Sequence, residues 1–161
     1  MEERDKGRLL SNLKSLPYEL EDLVSGISDD ELRWRPIPNK WSIGEILAHL
    51  RDVEREVFHP RLNRTVFDDS PHFELWDPDG ASSARNYAEQ SGSQALEEFR
   101  AARAETVRFL ESTPLESWQR AGIHPERGPE TVENQVTRQI RNHDLAYLVQ
   151  IKDILRLKMP W

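Results

Sequence analysis

The chain has 161 residues, 32% of them charged and 37% hydrophobic, and a formal net charge of −7. That length suggests one domain spanning 1–161, and the acidic balance argues against nucleic-acid binding through a broad basic surface. There is no cysteine, which excludes disulfides, a thiolate nucleophile and any Cys-based zinc or iron–sulfur site.

The opening MEERDKGRLL has no apolar stretch of signal-peptide type. No run approaches the roughly 18 apolar residues of a membrane span. The expectation is a soluble, cytoplasmic protein without membrane or nucleic-acid partners.

Four helical patterns follow in chain order, with no convincing strand. The first covers about 4–25, with a stripe of Leu9, Leu10, Leu13, Leu16, Leu20, Leu23 and Val24. Pro17 lies inside it and predicts a kink or a break. Ser28 and Glu31 form a capping box that starts a short turn. Pro36 and Pro38 keep RWRPIPNKW (33–41) from being helical.

Ser42 and Glu45 form a second capping box, opening a helix to about residue 66. Its stripe is Ile43, Ile46, Leu47, Leu50, Val53 and Val57. Residues 68–92 are irregular, acidic and rich in Ser and Pro; connections of this length are often functional or mobile. The third helix is expected over 93–112, with Leu96, Phe99, Ala102, Ala104, Val107 and Leu110 on its apolar face. After a connector containing IHPERGP, the fourth starts near Thr131 and runs to about 157. Val132, Val136, Ile140, His143, Tyr147, Ile151 and Ile154 recur at steps of three and four, one face of a helix. Four such helices predict an all-α four-helix bundle.

His143 and Tyr147 belong to that stripe, so both are expected to point inward. His49 falls at the edge of the second helix's stripe, flanked by Glu45, Asp52 and Glu56 at helical spacing. Bundles build their sites from side chains on facing helices. His49 could therefore meet His143 and position 147, and three protein ligands with an open position is the layout of a catalytic metal site. A lone inward histidine is nevertheless more often a hydrogen-bonded core residue, and a core tyrosine more often a packed ring than a ligand. His124, just before the last helix, reads first as a turn residue capping local backbone. His59 and His72 read as surface or loop residues. Trp34, Trp41, Trp76, Trp118 and Trp161 either line a pocket or anchor connectors, with Trp41 placed to staple onto Ile46 or Leu47.

At these residues the sequence resembles the DinB/YfiT-like superfamily. The resemblance rests on LRWRPIPNKWSIGEILAHLRDVE (32–54), PRLNR (60–64), IHPERGPETVENQ (123–135) and NHDLAYLVQI (142–151), blocks whose order spans most of the chain. It implies a four-helix bundle with a divalent metal (Zn, Ni or Fe) held by three histidines. It also implies a hydrolase or thiol-dependent transferase acting on a small-molecule substrate or thiol. Matched by position, His49 and His143 are two of the metal ligands. Tyr147 stands where the family's H-D-x-x-H has its second histidine, as a ligand or a catalytic proton donor. The resemblance also places a histidine at His124, within reach of the same end of the bundle as a second catalytic candidate.

A tyrosine must lose its proton to bind a metal, favours ferric iron and is longer than histidine. Two histidines would need a carboxylate such as Glu45, Asp52 or Asp144, or a water, to complete the shell. Two readings stand beside the metal-dependent enzyme. One is a metal-free bundle that binds a small molecule through a His49–His143–Tyr147 network. The other is a structural bundle, such as a homodimer packed through helix faces.

Overall fold

The structure is a computed structural model that describes residues 1–157; Trp161, expected to anchor a connector or line a pocket, lies outside them. The helices are α1 (Glu3–Val24), α2 (Asp29–Leu32), α3 (Ile43–Val53), α4 (His59–Phe67), α5 (Pro78–Ala84), α6 (Gly92–Ser112), α7 (Val132–Arg138) and α8 (Leu145–Arg156). Two π-helical segments, Glu54–Phe58 and Gln139–Asp144, join α3 to α4 and α7 to α8. Four rods result, as the sequence predicts: α1, α3–α4, α6 and α7–α8.

The rods are not neighbours in chain order. α6 packs against both α1 and α3, α3 against α8, α4 against α7, and the 139–144 segment closes back on α1. The first and second rods are therefore diagonal, as are the third and fourth. Short loops join antiparallel neighbours, so this arrangement requires the long connectors at 25–42 and 113–131. It also sets the second rod directly beside the fourth, which brings the candidate histidines together.

The caps read from sequence form. Ser28 and Ser42 each accept a hydrogen bond from the backbone three residues on and donate their own backbone N–H to the side chains of Glu31 and Glu45; Thr131, at the expected start of the fourth helix, forms the same pair of bonds with Asn134. α1, however, runs through Pro17 unbroken. Proline removes the N–H that would bond the carbonyl four residues earlier, here that of Leu13. The side chain of Arg103 supplies the missing donor at 3.1 Å.

A second proline, Pro60, accompanies a departure from α-helical geometry. Pro60 denies Glu56 its helical partner, and the wider π turn at 54–58 lies immediately before it. Two strands also escaped the helical reading. β1 (Ala121–His124) and β2 (Gly128–Thr131) form an antiparallel hairpin. Gly128 closes its turn with φ of +78°, a conformation that glycine adopts without steric cost. Phe73 lies across it: a Cβ on Gly122 would sit 2.2 Å from the ring. The 68–92 connector, expected to be irregular, contains α5 and a 3-10 turn at Tyr87–Glu89.

The core forms two clusters. One gathers Leu16, Leu20, Ile46, Leu47, Phe99, Leu148 and Ile151. The other gathers Leu13, Phe58, Leu62, Leu110, Trp118 and Val136. On α6, Arg103 and not Ala104 takes the buried position between Phe99 and Val107. Among the described residues no helix is long and apolar enough to cross a membrane.

Candidate functional site

The π turn at 139–144 shifts the buried face of the fourth rod. Gln139, Asp144, Leu148 and Ile151 are buried, with a step of five from 139 to 144. Ile140, His143 and Tyr147, which a continuous α-helix would send to the core, are only partly buried. His143 keeps 21% of its side chain exposed. His143 and Tyr147 thus border the core, where a ligand can reach them.

His49 faces them from α3 and is 3% exposed. Its Nε2 lies 3.2 Å from Nε2 of His143. Tyr147 completes an aromatic triangle, with ring centroids 4.7 Å from His49 and 5.0 Å from His143. Trp41 stacks on Tyr147 at 6.4 Å and also packs against His49. It covers the triangle as well as joining the core, a larger role than a staple onto Ile46 or Leu47. Trp76, from the 68–92 connector, packs on His49 at 5.8 Å.

His143 is held from behind. Its Nδ1 lies 3.2 Å from Oδ1 of Asp144 and 3.0 Å from the side-chain amide of Gln139. Asp144 is buried, and its other oxygen accepts from Arg103 at 2.9 Å. Arg103, 1% exposed, also pairs through Nε and Nη2 with both oxygens of Glu54. Burial opposes the charge on Asp144, but Arg103 and the hydrogen bond from His143 outweigh it and lower its pKa. An ionised carboxylate only accepts; with the Gln139 amide turned to present its oxygen, a proton on Nδ1 satisfies Asp144 and leaves the Nε2 lone pair facing His49.

For His49, burial and then the neighbouring His143 push the pKa down to about 3, so the ring is neutral. Its Nδ1 is buried without a hydrogen-bond partner. The pKa of Tyr147 is raised, first by burial and then by the charge of Asp79 on α5, which favours the protonated phenol.

The carboxylates considered as completing ligands are engaged elsewhere. Glu45 takes both nitrogens of Arg35 at 2.7 Å. Asp52 accepts from Arg51, Arg85 and the hydroxyl of Tyr87. Glu56 pairs with Arg85. The contacts of Arg85 and Tyr87 with Asp52 and Glu56 fasten the 68–92 connector onto the second rod. Among the described residues no three His, Cys, Asp or Glu side chains converge to hold a metal.

Two nitrogen ligands at 2.0–2.1 Å in tetrahedral array stand about 3.3 Å apart. The His49–His143 separation fits a shared ion as it fits a direct N–H···N bond. The donors present therefore fit a two-nitrogen seat with open positions, not a closed protein cage.

His124 is not in this group. It is 4% exposed on β1, and its Nδ1 accepts from the backbone amides of Glu126 and Arg127 at 3.1 and 3.3 Å. That is the local backbone cap of the simpler reading. His59, read as a surface residue, is partly buried and bonds Thr106 at 3.0 Å. Reading the sequence for site residues missed Arg103, Gln139 and Asp79. Arg103 had a signal: it lies four residues from Phe99 and four from Val107, at core spacing.

A family model described as the DinB superfamily matches residues 12–143. The chain belongs to the DinB superfamily. Among solved structures, it is similar to YfiT from Bacillus subtilis, with a TM-score of 0.83 and 16% identity, over 97% of this chain and 90% of that one. YfiT is described as a probable metal-dependent hydrolase with an unusual four-helix bundle topology. At that identity the likeness shows the fold alone, and the DinB bundle expected from sequence is what the structure has. No curated protein matches the chain.

Proposed function

We propose that this DinB protein is a metal-dependent enzyme acting on a small molecule, of hydrolase or thiol-transferase type, with a divalent ion held by His49 and His143. The observation that carries the reading is the approach of the two Nε2 atoms to 3.2 Å, with His143 aimed by Asp144. Imidazole nitrogens suit zinc, nickel or iron. Water, substrate or a thiol would fill the positions that the protein leaves open. The description of YfiT as metal-dependent supports the reading by fold.

A bound ion supplies a Lewis acid for polarising a carbonyl or activating a bound water or thiol. The chain's own residues do the rest. Asp144, fixed by Arg103, holds His143 in the tautomer that exposes Nε2. Trp41 and Trp76 shield the buried His49 from water. Tyr147, kept protonated, is a hydrogen-bond or proton donor to the substrate and not a third ligand. His124 serves the hairpin, and its catalytic assignment has no geometric support. A cysteine-free chain suits a reducing cytoplasm.

A second reading is favoured by the arginine-paired carboxylates and the unpartnered Nδ1 of His49. In it, His49 and His143 bond each other directly, and the site binds a small molecule without metal. Cobalt(II) titration separates the two. The metal reading expects a visible absorption band that saturates in wild type and is lost in His143→Ala. No band in folded wild-type protein leaves the metal-free reading.

A further inference from the structure

We infer that the pocket beside the β-hairpin is an oxyanion site, in which Arg127, Arg138 and Arg141 receive the phosphate or carboxylate group of a small molecule. The pocket has a volume of about 330 Å³ and is lined by these arginines with Glu130, Asn134 and Thr137 among others. Three guanidinium charges face one carboxylate, in a chain whose formal net charge is −7.

Glu130 does not use up the donors around it. Its side chain is 5% exposed and accepts from Arg127 at 2.8 and 3.2 Å. Arg138 pairs with the same carboxylate. Two guanidinium groups carry ten N–H donors, and one carboxylate offers about four lone-pair positions. The Nε of Arg138 is buried with no hydrogen-bond partner. Arg141 follows Arg138 by three residues and reaches the same pocket from an exposed position.

The guanidinium charges reach neighbouring groups, second to burial and partly offset by Glu130. Arg61, which shares a smaller cavity of about 50 Å³ with Arg127, Glu130 and Arg138, has its pKa lowered by burial and then by Arg127. His124 is lowered by burial and then by Arg127 and Arg61. One arginine would neutralise Glu130 and hold the hairpin. The additional guanidinium groups match an anion's oxygens, which arginine binds in paired, charge-assisted contacts. Asn134 and Thr137 add neutral polar groups. The small volume and the acidic remainder of the protein favour a small ligand over a polyanion.

The test uses the full chain stripped of metal with EDTA and then dialysed free of the chelator, which makes the outcome independent of the metal reading. Inorganic phosphate and acetate are titrated separately at constant ionic strength against chloride. Calorimetry is paired with the NMR signal of the Arg138 Nε–H. Phosphate or acetate should bind, shift that signal beyond the chloride control, and weaken about tenfold in Arg141→Gln, the loss expected for one charge-assisted hydrogen bond. Tighter phosphate assigns a phosphate-bearing ligand; tighter acetate assigns a carboxylate-bearing one. Arg141 is exposed, so its replacement leaves the fold intact. The inference is overturned if neither anion moves the Arg138 signal, or if binding in Arg141→Gln and Arg138→Gln equals that of wild type.

Discussion

Arg103 donates from Nη1 to the carbonyl of Leu13 at 3.1 Å, the acceptor that Pro17 deprives of its helical partner. The same guanidinium holds Glu54 and Asp144. One buried side chain on α6 therefore joins α1, the 54–58 π segment and the segment that carries His143. Arg103→Met would leave two buried carboxylates without a counter-charge. A loss of about 3–5 kcal/mol is expected, measured by urea unfolding. Arg103→Lys should recover little of it, because an ammonium cannot reproduce the forked contacts. Near-wild-type stability in Arg103→Met would show that the network is not structural.

Asp144→Asn keeps the shape of the side chain and removes its charge. If Asp144 aims His143, cobalt affinity should fall by about 10–100-fold while the helical circular-dichroism signal is retained. Equal affinity in variant and wild type would remove Asp144 from the site.

His124 ties folding stability to pH. Its folded-state pKa is lowered by burial first and then by Arg127 and Arg61, with Glu130 and Glu126 opposing. The unfolded value is about 6.5. Between the two values the unfolded state binds more protons. Stability is therefore fullest above about pH 6.5 and declines as pH falls toward the folded value. His124→Asn retains an acceptor for the turn amides and should make this limb shallower, while His49, whose pKa is pushed down to about 3, keeps the remainder; urea midpoints at several pH values between about 7.5 and 5 read the difference. Identical limbs in variant and wild type would mean that another group sets the slope.

Gly92 marks a close approach beside the site's supporting helices. A Cβ there would lie 2.9 Å from Cδ1 of Leu32 and 3.2 Å from Cα of Gly44. Gly92→Ala should cost about 1–3 kcal/mol by overpacking, whereas Gly7→Ala, where a Cβ meets nothing within 4 Å, should not destabilise. Thermal unfolding of the two variants checks the contrast.

Much of the fold is legible in local sequence. Apolar stripes give the four rods, and Ser28, Ser42 and Thr131 mark helix starts because capping is a three-residue interaction. The non-sequential packing is not local and has no such signature. The π turn at 139–144 has no visible marker either, although it decides that Asp144 is buried and that His143 and Tyr147 are only partly so. The one at 54–58 could have been anticipated from Pro60. His49 and His143 were legible as partners on facing helices. The engagement of Asp52 by Arg85 and of Asp144 by Arg103 was not, because those pairs join distant parts of the chain.

In the proposed site two imidazoles, with water or substrate in the open positions, seat a metal beside a protonated Tyr147. The most direct test of this seat is the metal content, by mass spectrometry, of tag-free wild type, His49→Ala, Tyr147→Phe and Tyr147→His. Near-stoichiometric metal is expected in wild type and Tyr147→Phe, with loss in His49→Ala and tighter retention against a chelator in Tyr147→His. A wild type without metal, beside a Tyr147→His protein that acquires it, would overturn the two-imidazole metal seat and leave the histidine pair as a metal-free site.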